Sequence, residues 1–170
     1  MPETTAAALS IRDAREADLG RIVAIYNEAI SGRLATADTE PISVASRVRW
    51  FREHTADRRP LWVAERDGGI VGWLSLQSFY GRPAYEATAE VSVYVTTAVH
   101  RGGVARALLT RAAERAPALG LATLVAFVFG HNTPSLALFE RNGFARWGTL
   151  PRVARLDGVE RDLVLLGRRL

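Results

Sequence analysis

Two features within one short stretch could carry chemistry together. Glu90 lies in a β-branched run, Ala89 to Val95, and a short turn then leads into Arg101-Gly102-Gly103-Val104-Ala105-Arg106 at the start of an amphipathic segment. The order strand, turn, Gly-Gly, helix leaves a row of free backbone N–H groups at a helix N-terminus, where the macrodipole favours an anion. Glycine lets the backbone approach such an anion closely, and Arg101 and Arg106 add positive charge. The spacing is not that of a P-loop, which needs a Lys-Ser or Lys-Thr pair, nor that of a dinucleotide fingerprint, which needs a third Gly. Taken alone, the Gly-Gly pair is equally a tight strand-to-helix turn. Beside a carboxylate on the feeding strand, it points to a transferase that uses a diphosphate-bearing cofactor.

The elements around this stretch read as a single α/β domain over residues 10–170, preceded by a small, polar tail at residues 1–9. Ile11 begins a strand. Asp18 is placed to cap a helix whose Leu19, Ile22, Val23, Tyr26 and Ile30 recur at amphipathic spacing. After a polar loop from Arg33 to Pro41, Ser43 can cap a second helix carrying Val44, Val48 and Phe51. Leu61 to Glu65 and Ile70 to Leu76 flank Asp67-Gly68-Gly69 as a hairpin. Gly120 closes the helix that Gly103 opens, and the very apolar Leu121 to Phe129 reads as a central strand. Thr133-Pro134 reads as N-cap and first turn of another helix, ended by Asn142-Gly143. Phe144 to Thr149 and Val159 to Leu166 are the last strands, around an Asp157-Gly158 turn.

Composition narrows the function classes. The chain has 170 residues, no Cys and a net charge of +4, and its basic residues are all Arg. Without Cys there is no disulfide, no thiol nucleophile and no Cys-based zinc site. His54, His100 and His131 lack metal-ligand spacing, so no metal is expected. The arginines are scattered among acidic residues and are not interleaved with aromatics, which argues against nucleic-acid binding. No apolar run is long enough for a membrane span and no signal segment is evident, so a cytoplasmic protein is expected.

The segment around Gly103 resembles motif A of the GNAT N-acyltransferase superfamily, Gln/Arg-x-x-Gly-x-Gly/Ala. It aligns as His100, Gly103 and Ala105, with His in place of Gln or Arg. A second signature of the family follows in His131-Asn132-Thr133-Pro134-Ser135, Phe139 and Gly143-Phe144. Within the superfamily the chain is similar to the phosphinothricin and methionine sulfone type of N-acetyltransferase, through Ile25 to Ile30, Thr39-Glu40-Pro41, Ala84 to Val95, Asn132 to Ser135 and the acidic Asp162.

The resemblance implies a mixed, mostly antiparallel central sheet with helices on both faces, and acetyl-CoA as co-substrate. It places Val93, Tyr94 and Val95 along the pantetheine arm, with one of their N–H groups polarising the thioester carbonyl. It places Arg101, Gly102, Gly103, Val104, Ala105 and Arg106 on the diphosphate, and Asn132 and Ser135 at the pantetheine end. It makes Glu90 the general base, acting directly or through water, because an amine attacks a thioester only when neutral. Arg82 and Tyr85 would bind an acidic group of a small amine substrate, a task suited to the planar guanidinium fork. A homodimer is also implied.

Four residues depart from that pattern. Ala37 and Asp38 replace an aromatic residue and an Arg just before Thr39-Glu40-Pro41, so Asp38 bears on which acceptor anion is bound. Ala87 stands where a larger side chain is common. Phe139 stands where His or Tyr occurs, and Phe cannot protonate a leaving thiolate. The expected activity is therefore direct N-acetyl transfer to a small amino-acid-like acceptor such as phosphinothricin, methionine sulfone or sulfoximine. The alternatives are another small amine or a protein N-terminus as acceptor, or a non-catalytic acyl-CoA-binding module.

Overall fold

The computed structural model describes residues 7–170; residues 1–6, part of the expected tail, lie outside the described residues. A seven-stranded sheet in the order β1-β2-β3-β4-β5-β7-β6 forms the centre. Its strands are β1 (Ser10–Asp13), β2 (Leu61–Arg66), β3 (Gly69–Ser78), β4 (Thr88–Val95), β5 (Thr123–Phe129), β6 (Ala145–Leu156) and β7 (Val159–Arg169). Every neighbouring pair is antiparallel except β4 and β5. The mostly antiparallel mixed sheet expected from the resemblance is therefore present, and β5 is central.

Helices cover both faces. On one face α3 (Val104–Arg115) and α4 (Thr133–Arg141) bury Val104, Leu108, Leu109, Leu136 and Phe139 against Leu74, Leu76, Val91, Leu124 and Leu166. On the other, α1 (Leu19–Ser31) lays Ile22 and Ile25 on Val63 and Trp73, and the short α2 (Val48–Arg52) adds Trp50 and Phe51. Period-two alternation along β4 sorts its side chains accordingly: Ala89, Val91, Val93 and Val95 join the α3 core, so Glu90, Ser92 and Tyr94 face α1. Leu9, within the expected tail, packs against the α3 core.

Two helix caps differ from the sequence expectation. Asp18 does not cap α1; it closes a 3-10 turn at Glu16–Asp18, accepting the Arg15 N–H at 2.7 Å, and it pairs with Arg12 at 2.7 Å. Arg12 also meets Glu65 at 2.7 Å, so the carboxylate is held by an ion-pair network that propensity alone cannot reveal. Hydrogen bonding to the Arg12 guanidinium holds the Asp18 carboxyl below the usual range. In α4 the cap is Asn132, one residue before the expected Thr133, and its Oδ1 accepts the Ser135 N–H at 3.2 Å. Ser43 behaves as expected, its Oγ accepting the Ser46 N–H at 3.2 Å.

β6 extends past its expected end at Thr149 to Leu156. It does so through an irregularity between Leu150 and Ala154 that accommodates Pro151, which has no N–H to give to a ladder. Asp162 of β7 accepts the Arg152 N–H at 2.8 Å and so stabilises the irregularity. Among the described residues no helix is long and apolar enough to cross a membrane.

Candidate active site

β4 and β5 pair over only three positions, Thr88↔Thr123, Ala89↔Leu124 and Glu90↔Val125. Beyond Glu90 the two strands part, so a wedge opens in the sheet with Glu90 at its apex. The backbone groups that line the wedge follow from the β3–β4 register. Thr96 N–H donates to Val71 O at 2.9 Å, and Phe79 N–H reaches Thr88 O at 3.5 Å. Between these ends Tyr94/Trp73, Ser92/Ser75 and Glu90/Gln77 are the hydrogen-bonded pairs. The N–H and C=O groups of Val93 and Val95 therefore point the other way, into the wedge. The Val95 carbonyl accepts from His100 Nε2 at 3.0 Å, which leaves the Val93 and Val95 N–H groups and the Val93 carbonyl open.

Of the three residues expected along the pantetheine arm, Val93 and Val95 turn their amides into the wedge and Tyr94 does not. The backbone of Tyr94 is turned toward β3. Its side chain faces α1, and its hydroxyl donates to Ala35 O at 3.0 Å. The sequence could not show this, because which edge of a strand a residue's amide uses depends on the partner's register.

At the wide end of the wedge β4 runs through a 3-10 turn (Thr97–Val99) into α3. Gly103 caps that helix at φ 77°, in the left-handed region, and Arg101 shares that region at φ 65°. The Gly102 N–H is spent on Val99 O at 3.0 Å, so it is not free for a ligand. The amides of Gly103, Val104, Ala105 and Arg106 have no carbonyl inside the helix to bond, as at any helix start. Arg101 and Arg106 are exposed beside them. Four consecutive N–H groups and two flanking guanidinium groups therefore lie together at the start of α3, with Gly102 shaping the turn.

Glu28 of α1 secures this turn. Its carboxylate accepts from Thr97 N at 2.9 Å, from Thr96 Oγ1 at 3.0 Å and from Thr97 Oγ1 at 3.3 Å. Burial pulls its carboxyl upward, but these donors outweigh the burial and hold it below the usual value. Sequence reading passed over Glu28, which looks like any helix-surface carboxylate. Replacing it by Gln should raise the KM for acetyl-CoA about three- to tenfold and leave kcat nearly unchanged, as initial rates at varied acetyl-CoA will show.

Glu90 sits at the apex, half-buried, with no cation against it. Burial alone raises its pKa. A carboxylate that is desolvated and unpaired is a base of increased strength. Tyr94 has its hydroxyl pushed above the usual value, chiefly by burial, and Glu90 is among the charges acting on it.

Two loops flank the wedge. Three consecutive carbonyls of the loop after α1 are held: Arg33 O by His131 Nε2 at 2.8 Å, Leu34 O by Asn132 Nδ2 at 3.1 Å, and Ala35 O by Tyr94. This loop therefore bridges the parted ends of β4 and β5. Asn132, 6% exposed, uses one end of its amide on the α4 cap and the other on the loop, so its first task is to hold both in place. Ser135 stands on the first turn of α4, its N–H given to the Asn132 cap. Arg82 and Tyr85 lie exposed on the β3–β4 loop, where Tyr85 joins Phe79 and Tyr80 in an aromatic cluster. That loop is anchored by Arg59, 6% exposed, which donates to Ser78 Oγ at 3.1 Å and Glu86 O at 2.8 Å. Phe139 is buried edge-on against Phe144, 5.1 Å between ring centres, and serves the core.

Asp38, reached from the same loop, accepts a short hydrogen bond from the Tyr26 hydroxyl and meets Arg47 at 3.5 Å. Arg47 is not singled out by the sequence, and Tyr26 reads there only as part of the apolar face of α1. Arg47 ends the turn before α2, and the rings beside it come from α1, α2 and β3, so only the fold brings them together.

The sequence matches the Acetyltransferase (GNAT) family over residues 11–144. It is 50% identical to YwnH of Bacillus subtilis (strain 168), provisionally named a phosphinothricin acetyltransferase, across 95% of this chain and 99% of that one. It is 35% identical to the L-methionine sulfoximine/L-methionine sulfone acetyltransferase of Pseudomonas aeruginosa, across 92% of each. Among solved structures, the GNAT superfamily phosphinothricin acetyltransferase of Sinorhizobium meliloti, in complex with AcCoA, superposes with a TM-score of 0.90 at 30% identity, covering 95% of this chain and 88% of that one. The parted strands, the amide cradle and these likenesses agree: the chain belongs to the GNAT acetyltransferase family, in its phosphinothricin and methionine sulfone acetyltransferase group, and is an N-acetyltransferase.

Proposed function

We propose that the protein transfers an acetyl group from acetyl-CoA to the amine of a small amino-acid-like acceptor of the phosphinothricin, methionine sulfone or methionine sulfoximine type, with Glu90 as general base. The observation that carries this reading is the position of a half-buried, unpaired carboxylate at the apex of the wedge between β4 and β5. The chain fits acetyl-CoA. The Val93 and Val95 amides can add an extended pantetheine arm as if it were a strand. The amides of Gly103 to Arg106, with Arg101 and Arg106, suit its diphosphate.

In the reaction the amine nitrogen forms a bond to the acetyl carbonyl carbon, and the carbon–sulfur bond breaks. Glu90 accepts the proton that the amine must lose, directly or through one water. An amide from the wedge edge, Val93 or Val95, steadies the oxygen that becomes negative; such a donor is worth about 100- to 1,000-fold in rate. With phenyl rather than hydroxyl at Phe139, the leaving thiolate takes its proton from water. The absence of Cys fits direct transfer within a ternary complex, with no thiol to carry the acetyl group. Arg82 and Tyr85 contribute the outer acceptor contacts.

A homodimer is part of this reading. The β6–β7 hairpin exposes Trp147, Leu150 and Val153 on the edge strand β6 and Val159 at the start of β7, an apolar surface suited to a second copy. Light scattering in solution should give twice the chain mass, and the chain mass would oppose it.

The acceptor class is tested by thiol release from acetyl-CoA across phosphinothricin, methionine sulfone, methionine sulfoximine, plain amino acids, polyamines and short peptides. The protein itself adds no thiol background, since it has no Cys. The reading predicts the highest kcat/KM on the first three. Turnover confined to peptides or polyamines would keep the chemistry and discard the acceptor class.

A further inference from the structure

On the α1 face of the sheet, next to the apex of the wedge, lies a cavity of about 160 Å³. Its walls are aromatic: Tyr26, Trp50, Trp73 and Tyr94, with Tyr26 and Tyr94 ring centres 5.0 Å apart and Trp50 and Trp73 5.6 Å apart. Its floor includes Gln77 and Ser92. Gln77 is the cross-strand partner of Glu90. Ser92 is the next same-face residue along β4, about 7 Å from Glu90 by strand rise. The cavity is smaller than the about 300–1,000 Å³ of drug-sized sites, so it suits one functional group of a small acceptor.

One full charge enters this aromatic enclosure. The Arg47 guanidinium lies 5.4 Å from the Tyr26 ring centre and 6.0 Å from that of Trp50. Among the described residues its only ion pair is the long, 3.5 Å contact with Asp38, and Asp38 is already committed to the Tyr26 hydroxyl. Among the described residues most of its five N–H donors are therefore unspent, on a planar group that lies over both rings. Such a fork matches the paired oxygens of a carboxylate or phosphinate.

We infer that this cavity is the inner acceptor subsite, that Arg47 binds an oxyanion of the acceptor there, and that Asp38 competes with that oxyanion for the guanidinium. The inference rests on the acceptor reading proposed above. It accounts for Asp38 standing in the loop at a position where a cation is expected: the cation of this site comes from Arg47 instead. With the oxyanion on Arg47, the amine of a short acceptor lies toward Glu90, because Gln77 and Ser92 connect the two.

The test uses phosphinothricin and methionine sulfone as acceptors, with kcat, acceptor KM and acetyl-CoA Kd measured for wild type, Arg47→Ala, Arg47→Lys and Asp38→Asn. Loss of a charge-assisted contact should raise the acceptor KM in Arg47→Ala about 10- to 100-fold, with kcat changed little and acetyl-CoA Kd unchanged. Arg47→Lys should recover part of it. Asp38→Asn frees the guanidinium and should lower the acceptor KM, an opposite sign that a general structural lesion would not produce. Phosphinothricin carboxamide separates the two oxyanions: an Arg47 effect that persists with it assigns the phosphinate, and one that vanishes assigns the carboxylate. An acceptor KM within twofold of wild type in Arg47→Ala would overturn the inference. So would an unchanged or raised KM in Asp38→Asn, a variant that answers the question even if Arg47→Ala fails to fold. Failure of wild type to turn over any acceptor, with acetyl-CoA still bound, would overturn the acceptor reading itself and the inference with it.

Discussion

Glu90→Gln should lower kcat by about 100- to 10,000-fold, the range for removing a positioned general base, while acetyl-CoA binds as in wild type. The amide cannot take the proton, yet it keeps the size and polarity of the side chain. The pH dependence carries a second signature. Burial raises the Glu90 pKa, so wild-type kcat/KM should rise with pH as the carboxyl ionises through its raised value, and the mutant should lose that limb. Stability should move in the opposite sense from activity. A carboxyl whose pKa is raised by folding binds its proton more tightly in the folded state; its contribution is whole below the unfolded value and is lost as pH rises through the folded one. Glu90→Gln should therefore have a higher Tm than wild type at pH 8 and a similar Tm at pH 4. Equal kcat in mutant and wild type would remove Glu90 from the role of base, and a lower Tm at pH 8 would contradict a carboxyl raised by burial.

Gly103→Val should raise the KM for acetyl-CoA about 10- to 100-fold. Gly103 occupies φ 77° with nothing within 4 Å of where a Cβ would stand, so the penalty is conformational rather than steric. A β-branched residue is an outlier there, and holding it costs about 1–3 kcal/mol, which the loop escapes by rotating the cradle amides away from the anion. Gly102→Ala should act in the same direction for a different reason, since its Cβ would meet Val99 O at 2.9 Å. Gly68→Ala is the control: it shares φ 77° and open surroundings but lies in the β2–β3 turn, so it should lower Tm and leave the acetyl-CoA KM alone. A Gly103→Val enzyme with wild-type KM for acetyl-CoA would show that the α3 amides do not bind the diphosphate.

The legible and illegible parts of this site divide along a physical line. Local patterns were readable: the hairpin at Gly68, the Gly103 opening of α3, the apolar β5, and Glu90 on the strand that feeds the turn. Each depends on residues a few positions apart. Features that need register or long-range contact were not. Tyr94 could be placed on β4, but only the Thr96–Val71 hydrogen bond decides that its amide faces β3 while those of Val93 and Val95 face the wedge. Asp18 has the right type for a cap, and Arg12 draws it into an ion pair instead. Glu28 looks like a solvated carboxylate until the Thr96-Thr97 turn arrives 68 and 69 residues later. The cavity around Arg47 draws its walls from α1, α2, β3 and β4, so no window of sequence contains it.

The most direct single measurement is the initial rate of thiol release with acetyl-CoA and phosphinothricin varied together, in wild type and Glu90→Gln. Direct transfer in a ternary complex predicts saturation by both substrates, intersecting double-reciprocal lines, N-acetylated product, and near-complete loss of rate in the variant. Parallel lines would mean a covalent acetyl-enzyme, and a variant as fast as wild type would mean that the carboxylate at the apex of the wedge is not the base; either would contradict the account.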